Sequence, residues 1–79
     1  MLTIDQFDAL PAQERTEVIL QSTFLADRLT EQHYIKLYNV GNFYVEVLFD
    51  DSTHLITDFR AFEQTMLVLP YLERLKIVV

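Results

Sequence analysis

The stretch of residues 43–49, FYVEVLF, constrains the fold of this chain more than any other, because it carries the strongest β-strand pattern in the sequence. Aromatic and β-branched residues make up most of it, and such residues are favoured in strands. One turn signal, Gly41-Asn42, precedes the stretch, and another, Asp-Asp-Ser at residues 50–52, follows it. We therefore predict that residues 43–49 form the central strand of a small sheet, which the rest of the chain covers or flanks.

Composition is typical of one small globular domain, residues 1–79. Apolar residues make up 51% of the chain and charged residues 23%, which favours a packed domain over a disordered segment. The chain has no cysteine, so disulfides, thiolate zinc sites and thiol nucleophiles are excluded, and we expect a cytoplasmic location. The sequence shows neither a signal-peptide pattern nor an apolar run long enough to span a membrane.

The net charge of −6 is spread evenly, with six acidic and three basic residues in 1–40 and the same numbers in 41–79. The distribution of charged residues therefore predicts no basic surface of the kind that binds nucleic acid. An acidic chain is also disfavoured at an anionic membrane surface. We expect neither a nucleic acid nor a membrane as a partner.

Two helices are predicted before the sheet. Thr3 and Gln6 have the spacing of a capping box, which predicts a short first helix. Pro11 suits the first position of a second helix. The spacing of apolar residues extends that second helix over residues 11–29.

Beyond the helices the apolar period changes to two, which predicts three strands at residues 33–39, 43–49 and 53–61. A last helix is predicted within residues 62–77, with a kink or a break at Pro70. The predicted fold is α+β with two layers. It is a three-stranded antiparallel meander with helices packed on one face, in the order α-α-β-β-β-α.

The register of the first hairpin depends on the length of its loop. A two-residue turn would place Leu37 opposite Glu46 and mix apolar with polar side chains on one face. A three-residue loop, residues 40–42, pairs Glu46 with Lys36 instead. Asn42 tolerates the left-handed conformation that the last position of such a loop needs. We therefore predict the three-residue loop and interpret Glu46 as an ion-pair partner rather than a catalytic residue.

This register gives the sheet an apolar inner face and an outer face that is unusually rich in large side chains. The predicted inner residues are Ile35, Leu37, Phe43, Val45, Val47, Phe49, Leu55, Thr57, Phe59 and Ala61. Tyrosine and arginine are enriched where proteins bind one another. The outer face is therefore a candidate interface, formed by Tyr34, Lys36, Tyr38, Tyr44, Glu46, Leu48, Ile56 and Arg60. The alternative is that the long helix or the C-terminal residues cover this face within the monomer.

No motif in the sequence points to catalysis or metal binding. The acidic and histidine residues of the second turn are Asp50, Asp51, His54 and Asp58, and their spacing matches neither an EF-hand nor a zinc pattern. Asp-Asp-Ser is also ordinary turn chemistry. We expect no catalytic residue, no metal, no cofactor and no small-molecule ligand, and we predict that the chain is not an enzyme.

Four short stretches resemble a small bacterial α+β family of unknown function. They are FYVEV at residues 43–47, FRAF at 59–62, LPYL at 69–72 and ALP at 9–11. The resemblance covers most of the chain and implies a bacterial or phage-like origin. It implies no activity, and no catalytic residue follows from it.

The function predicted from these observations is a small acidic protein–protein interaction module, self-associating or regulatory. It would bind a protein partner or its own copy, as a homodimer, through the tyrosine-bearing face or a sheet edge. An alternative is an acidic inhibitor of a nuclease or defence protein, of a phage or mobile-element type, which predicts clustered carboxylates. A small enzyme is the third hypothesis, and it predicts a deep pocket with two titratable groups.

Overall fold

A computed structural model describes residues 2–63, which form two short helices followed by a four-stranded antiparallel sheet. The helices are α1 (Ile4–Ala9) and α2 (Ala12–Leu20), and the strands are β1 (Thr23–Leu29), β2 (His33–Val40), β3 (Phe43–Asp50) and β4 (Ile56–Phe62). Each strand pairs with the next one along the chain, in the order β1-β2-β3-β4. The α+β class and the antiparallel meander are confirmed.

The predicted count of three strands is wrong, and the predicted order α-α-β-β-β-α lacks the strand β1. The predicted last helix, residues 62–77, lies outside the described residues apart from Phe62, which ends β4. The kink predicted at Pro70 also lies outside them.

The capping box predicted at the start of the chain is confirmed. Gln6 N–H donates to Thr3 Oγ1 at 3.1 Å, and Thr3 N–H donates to Gln6 Oε1 at 2.9 Å. At the other end of α1, Arg15 Nε donates to Leu10 O at 2.9 Å and Nη2 to Asp8 O at 2.8 Å. These bonds satisfy carbonyl groups that have no partner within a helix end, so Arg15 ties α2 to α1.

The second half of the predicted helix 11–29 is wrong, because α2 ends at Leu20 and β1 follows. Ser22 Oγ donates to Val18 O at 2.7 Å, which closes the last turn of α2. The apolar residues of 18–29 have helical spacing, but a short apolar stretch fits a strand as well. Pairing with β2 gives these residues backbone partners and a buried sheet face, and this outweighs their local helical preference.

The hairpin between β2 and β3 has a two-residue turn, so the predicted three-residue loop is wrong. Val40 pairs with Phe43, and Gly41 has a φ of 67°. Glycine with positive φ at the first central position is the pattern of a type II′ hairpin turn. Leu37 therefore does lie opposite Glu46. The prediction failed because it assumed that one sheet face is solvated, whereas this sheet buries side chains on both faces.

The helix-covered face of the sheet carries the larger core. Its buried residues are Phe7, Ile19, Val40, Phe43, Val45 and Val47, with Tyr38, Phe49, Phe59 and Ala61 packed against them. Residues opposite each other in an antiparallel pair share a face. The inner position is thus confirmed for six of the residues predicted there, which are Phe43, Val45, Val47, Phe49, Phe59 and Ala61.

The opposite side, which we call the second face, has its own cluster of Ala26, Ile35, Leu37 and Leu48, with Tyr44 and Phe62 packed against it. The inner position predicted for Ile35 and Leu37 is therefore wrong. So is the position predicted for Leu55, which precedes β4 and is 67% exposed. Thr57 lies at the irregularity between Leu48 and Phe49, where β3 and β4 shift register.

Asp50 organises the tight loop between β3 and β4. Its Oδ1 accepts hydrogen bonds from Ser52 N–H at 2.8 Å and Thr53 N–H at 2.9 Å. His54 takes a φ of 63° there and donates its N–H to Asp50 O at 2.9 Å. The hydrogen bonds from Thr53 and Ser52 lower the pKa of the Asp50 carboxyl below its ordinary value.

We expect Asp50→Ala to destabilise the fold at neutral pH and to lose this effect in acid. A carboxylate whose pKa is lowered in the folded state stabilises the fold above the pKa of the unfolded chain, about 3.9. That contribution disappears as the pH falls through the lower, folded-state pKa. Urea unfolding at neutral pH and at successively lower pH measures the difference between variant and wild type, with Asp51→Ala as the control. A difference that is constant over this pH range would contradict the assigned role.

Candidate interaction surface

The eight residues predicted to form one interface lie on two different faces of the sheet. The helix-covered face carries Tyr34, Lys36, Tyr38 and Ile56, and the second face carries Tyr44, Glu46, Leu48 and Arg60. A shift of one residue in a strand register moves every side chain to the other face. The prediction of a single tyrosine-bearing surface is therefore wrong, because the hairpin register on which it rested is wrong.

Glu46 forms its ion pair with Arg28 and not with Lys36. Arg28 Nη2 lies 3.3 Å from Glu46 Oε2, and the side chains are 24% and 9% exposed. Lys36 lies opposite Val47, on the other side of the sheet. Arg28 comes from β1 and reaches across β2 to β3, over the second-face cluster. A buried carboxylate needs such a partner, so we assign Glu46 a structural role.

Lys36 and Tyr34 make contacts within the helix-covered face. Lys36 Nζ lies 5.7 Å from the ring centroid of Tyr34 and 5.5 Å from that of Phe49, within the range of cation–π attraction. Tyr34 O–H donates to the Asp27 carboxylate of the adjacent strand. These side chains thus serve intramolecular contacts.

Tyr38 also packs inside the domain. Its ring lies edge-on to that of Phe24, with 5.6 Å between centroids. Burial raises the pKa of the Tyr38 phenol, because the charged form loses hydration there. Tyr38 is therefore partly buried, and its ring packs against the core of the helix-covered face.

Four of the six exposed large apolar side chains of the described residues lie on or beside β1. Leu20, Phe24, Leu25 and Leu29 are 78, 51, 41 and 65% exposed. Leu20 ends α2, and the other three lie on β1, which is an edge strand of the sheet. Single exposed apolar residues are common on protein surfaces, but four within ten positions of one edge form a patch of the kind that marks interaction sites. We call these four residues the β1 apolar edge.

The backbone of β1 adds a second property to this surface. Within residues 2–63, β1 pairs with β2 and is an edge strand of the sheet, and edge strands are where a further strand can be added. The register shift between Phe24 and Ala26 indicates a β-bulge at Leu25. The bulge restricts the regular part of the edge to residues 26–29. An added strand would therefore be short, and the apolar side chains would have to supply most of the contact area.

Sequence reasoning missed this edge because it placed residues 23–29 in a helix. A signal for it does exist, since a turn-forming Ser22 is followed by Thr23 and Phe24, which both favour strands. The helical spacing of the surrounding leucines outweighed that signal.

The acidic and histidine residues around the second turn are not grouped as metal ligands in the described part of the chain. Within residues 2–63, no group of three histidine, aspartate or glutamate side chains is placed to hold a metal ion. Asp58 Oδ1 accepts a hydrogen bond from Phe59 N–H at 2.8 Å, and Asp50 is held by its loop. The acidic inhibitor stays a hypothesis of the sequence.

An open cleft of about 280 Å³ separates the start of α2 from the start of β4. Arg15 and Asp58 are the charged residues of its lining. Arg15 donates to the carbonyls at the end of α1 and lies 5.7 Å from the ring centroid of Phe59. The contacts of Arg15 thus join the end of α1 to α2 and β4, and the enzyme hypothesis stays a prediction of the sequence.

Comparisons with models of protein families, with curated proteins and with solved structures found no match to this chain. The resemblance to a small bacterial α+β family stays a prediction, and any function has to be argued from the geometry of the chain. In the part of the chain that the structure describes, no helix has the length and apolar content needed to cross a membrane.

Proposed function

We propose that this chain is a small protein-interaction module that binds through the β1 apolar edge. The observation that carries the proposal is the coincidence of two features on one strand. Four large apolar side chains, 41 to 78% exposed, lie on or beside β1, and β1 is an edge of the sheet that residues 2–63 form. Apolar contact and main-chain pairing together are the basis of binding by strand addition.

The simplest partner is a second copy of the chain. Closed two-fold dimers are the commonest protein assemblies, and a copy supplies an edge strand with the same exposed apolar residues. The net charge of −6 opposes association at long range. Self-association should therefore become stronger as the salt concentration rises, whereas an interface held by ion pairs should become weaker.

Sedimentation equilibrium of the full chain, from low micromolar to near-millimolar concentration, tests this proposal. We expect the mass to rise with concentration from 9.3 kDa towards twice that value. Replacing both Phe24 and Leu29 with serine should weaken the association by at least about tenfold, or roughly 1.4 kcal/mol. The reason is that exposed apolar anchors supply most of the binding energy of such an interface.

A matched control is available at the other end of the meander. Leu55 and Ile56 are 67 and 38% exposed; Leu55 precedes β4 and Ile56 begins it, and within residues 2–63 β4 is the opposite edge strand. Replacing both with serine should leave the association unchanged. A wild-type chain that stays at 9.3 kDa throughout would remove self-association. If the Leu55/Ile56 double variant loses the association and the Phe24/Leu29 double variant keeps it, the interface lies at β4 and not at β1.

A further inference from the structure

The regular part of β1 allows few registers when two copies of the chain pair symmetrically through this strand. In an antiparallel pair of identical strands, the two-fold axis passes between a residue and the same residue of the second copy, because opposing residues share a face of the sheet. Residues 26–29 follow the bulge and pair regularly with β2. Within this segment, an axis at Asp27 or at Arg28 brings regular residues of both copies together on either side of it.

Apolar contact distinguishes the two registers. With the axis at Asp27, Leu29 lies at the bulge of the second copy, next to its Phe24. With the axis at Arg28, Leu29 lies opposite the carboxylate of Asp27 and away from the apolar residues of the second copy. Phe24 and Leu29 also share the helix-covered face, as their register with β2 shows. The axis at Asp27 therefore brings the exposed apolar side chains of β1 together.

We propose that Asp27 sets the strength and the pairing preference of self-association through β1. The favoured axis places the Asp27 carboxylates of two copies opposite each other, and like charges directly opposite each other in an antiparallel pair are destabilising. Charged residues on edge strands restrict unwanted pairing in natural sheets. Asp27 thus keeps the pairing of two copies weak and reversible. This inference rests on the proposed function, because it concerns the regulation of the same edge.

Groups on β2 surround the Asp27 carboxylate within its own copy. Lys36 lies opposite Asp27 in the register of β1 with β2, and Tyr34 O–H donates to the carboxylate. Both groups come from the side of β2, so a second copy at the outer side of β1 meets a carboxylate that is already oriented. The positive charge of Lys36 moderates the repulsion between the copies. We therefore expect the pair of carboxylates to weaken association and not to abolish it.

Removing the charge in the full chain tests this inference. In sedimentation equilibrium, Asp27→Asn should tighten the association about two- to fivefold, the effect of removing one cross-strand repulsion. Asp51→Asn is the matched control, because it makes the same change in net charge at an exposed position in the loop between β3 and β4. It should leave the association almost unchanged. Equal effects of the two substitutions would overturn the role assigned to Asp27.

A mixing experiment tests whether the side chains at position 27 of two copies meet at the axis. Asp27→Lys alone again places like charges opposite each other, so its own association should stay weak. An equimolar mixture with wild type places opposite charges there. In native mass spectrometry the mixed dimer should therefore bind at least about fivefold more tightly than either dimer of like chains. Random pairing of the two chains would overturn the inference.

These outcomes separate the inference from the proposed function. If replacing Phe24 and Leu29 with serine weakens the association while both tests at Asp27 show no effect, the interface stands and the assigned axis is wrong. If the wild-type chain does not associate at all, the proposed function and this inference are both overturned. Circular dichroism shows whether each variant is folded. Should Asp27→Lys fail to fold, Asp27→Asn and its control decide the question.

Discussion

Replacing Phe7 with alanine is expected to lower the free energy of unfolding by about 3–5 kcal/mol. Phe7 is fully buried, and its ring lies edge-on to those of Phe43 and Phe59, with centroid distances of 5.9 and 6.1 Å. It is the buried residue of α1, and it packs this helix against the sheet. Domains have a total stability of about 5–15 kcal/mol, so this variant should be near the limit of folding. Urea unfolding followed by circular dichroism measures the loss.

A matched control is Phe24→Ala, which truncates the same type of side chain at a position that is 51% exposed. Its expected cost is about 1 kcal/mol, mainly from the ring pair with Tyr38. If the Phe7→Ala variant still folds, Phe7→Leu should lower the free energy of unfolding by less than Phe7→Ala and by more than Phe24→Ala. Equal losses at Phe7 and Phe24 would show that α1 is not docked as described.

Replacing Arg28 with methionine is expected to cost about 3 kcal/mol, because the substitution leaves the charge of Glu46 in buried surroundings. The expectation rests on the 9% exposure of the Glu46 side chain and on its 3.3 Å contact with Arg28. Replacing Glu46 with leucine in the same chain should restore the stability to within about 1 kcal/mol of wild type, since an apolar pair of similar volume then fills the site.

Lys36→Met is the control that separates the two possible registers of the hairpin. In the structure Lys36 lies on the opposite face from Glu46, so its loss should cost about 1 kcal/mol or less, from its contacts with Tyr34 and Phe49. Double-mutant cycles should give a coupling energy for Glu46 with Arg28 and almost none for Glu46 with Lys36. The reverse result would support the three-residue loop and contradict the observed register.

The parts of this fold that sequence reasoning predicted are those set by local chemistry. The capping box of Thr3 and Gln6 and the strand predicted at residues 43–49 depend on residues close together in the chain. Both are present in the structure. Such features are determined by hydrogen bonds and side-chain periodicity among residues that are neighbours in the sequence.

The parts that sequence reasoning missed depend on contacts between distant segments, and one error led to the next. Placing residues 23–29 in a helix removed Arg28 from the sheet, so its ion pair with Glu46 was missed. The three-residue loop was predicted because it avoids mixing apolar with polar side chains on one face. That criterion failed because the sheet buries side chains on both faces, and the wrong register placed the tyrosines of β2 and β3 on one face.

The candidate interface could not be predicted from the sequence either, because it also depends on how distant segments pair. An exposed leucine on a predicted helix is unremarkable, whereas Leu25 and Leu29 on an edge strand lie beside a backbone that can pair with another chain. Only the strand order β1-β2-β3-β4 makes β1 an edge.

Amide hydrogen exchange, compared between dilute and concentrated solutions of the full chain, tests the proposed interface most directly. If the chain associates through the β1 apolar edge, the amides of residues 26–29 should exchange about tenfold or more slowly in concentrated solution. The amides of β4 (Ile56–Phe62) should be unaffected. A rise in mass accompanied by slower exchange in β4 and unchanged exchange in β1 would contradict the proposed interface.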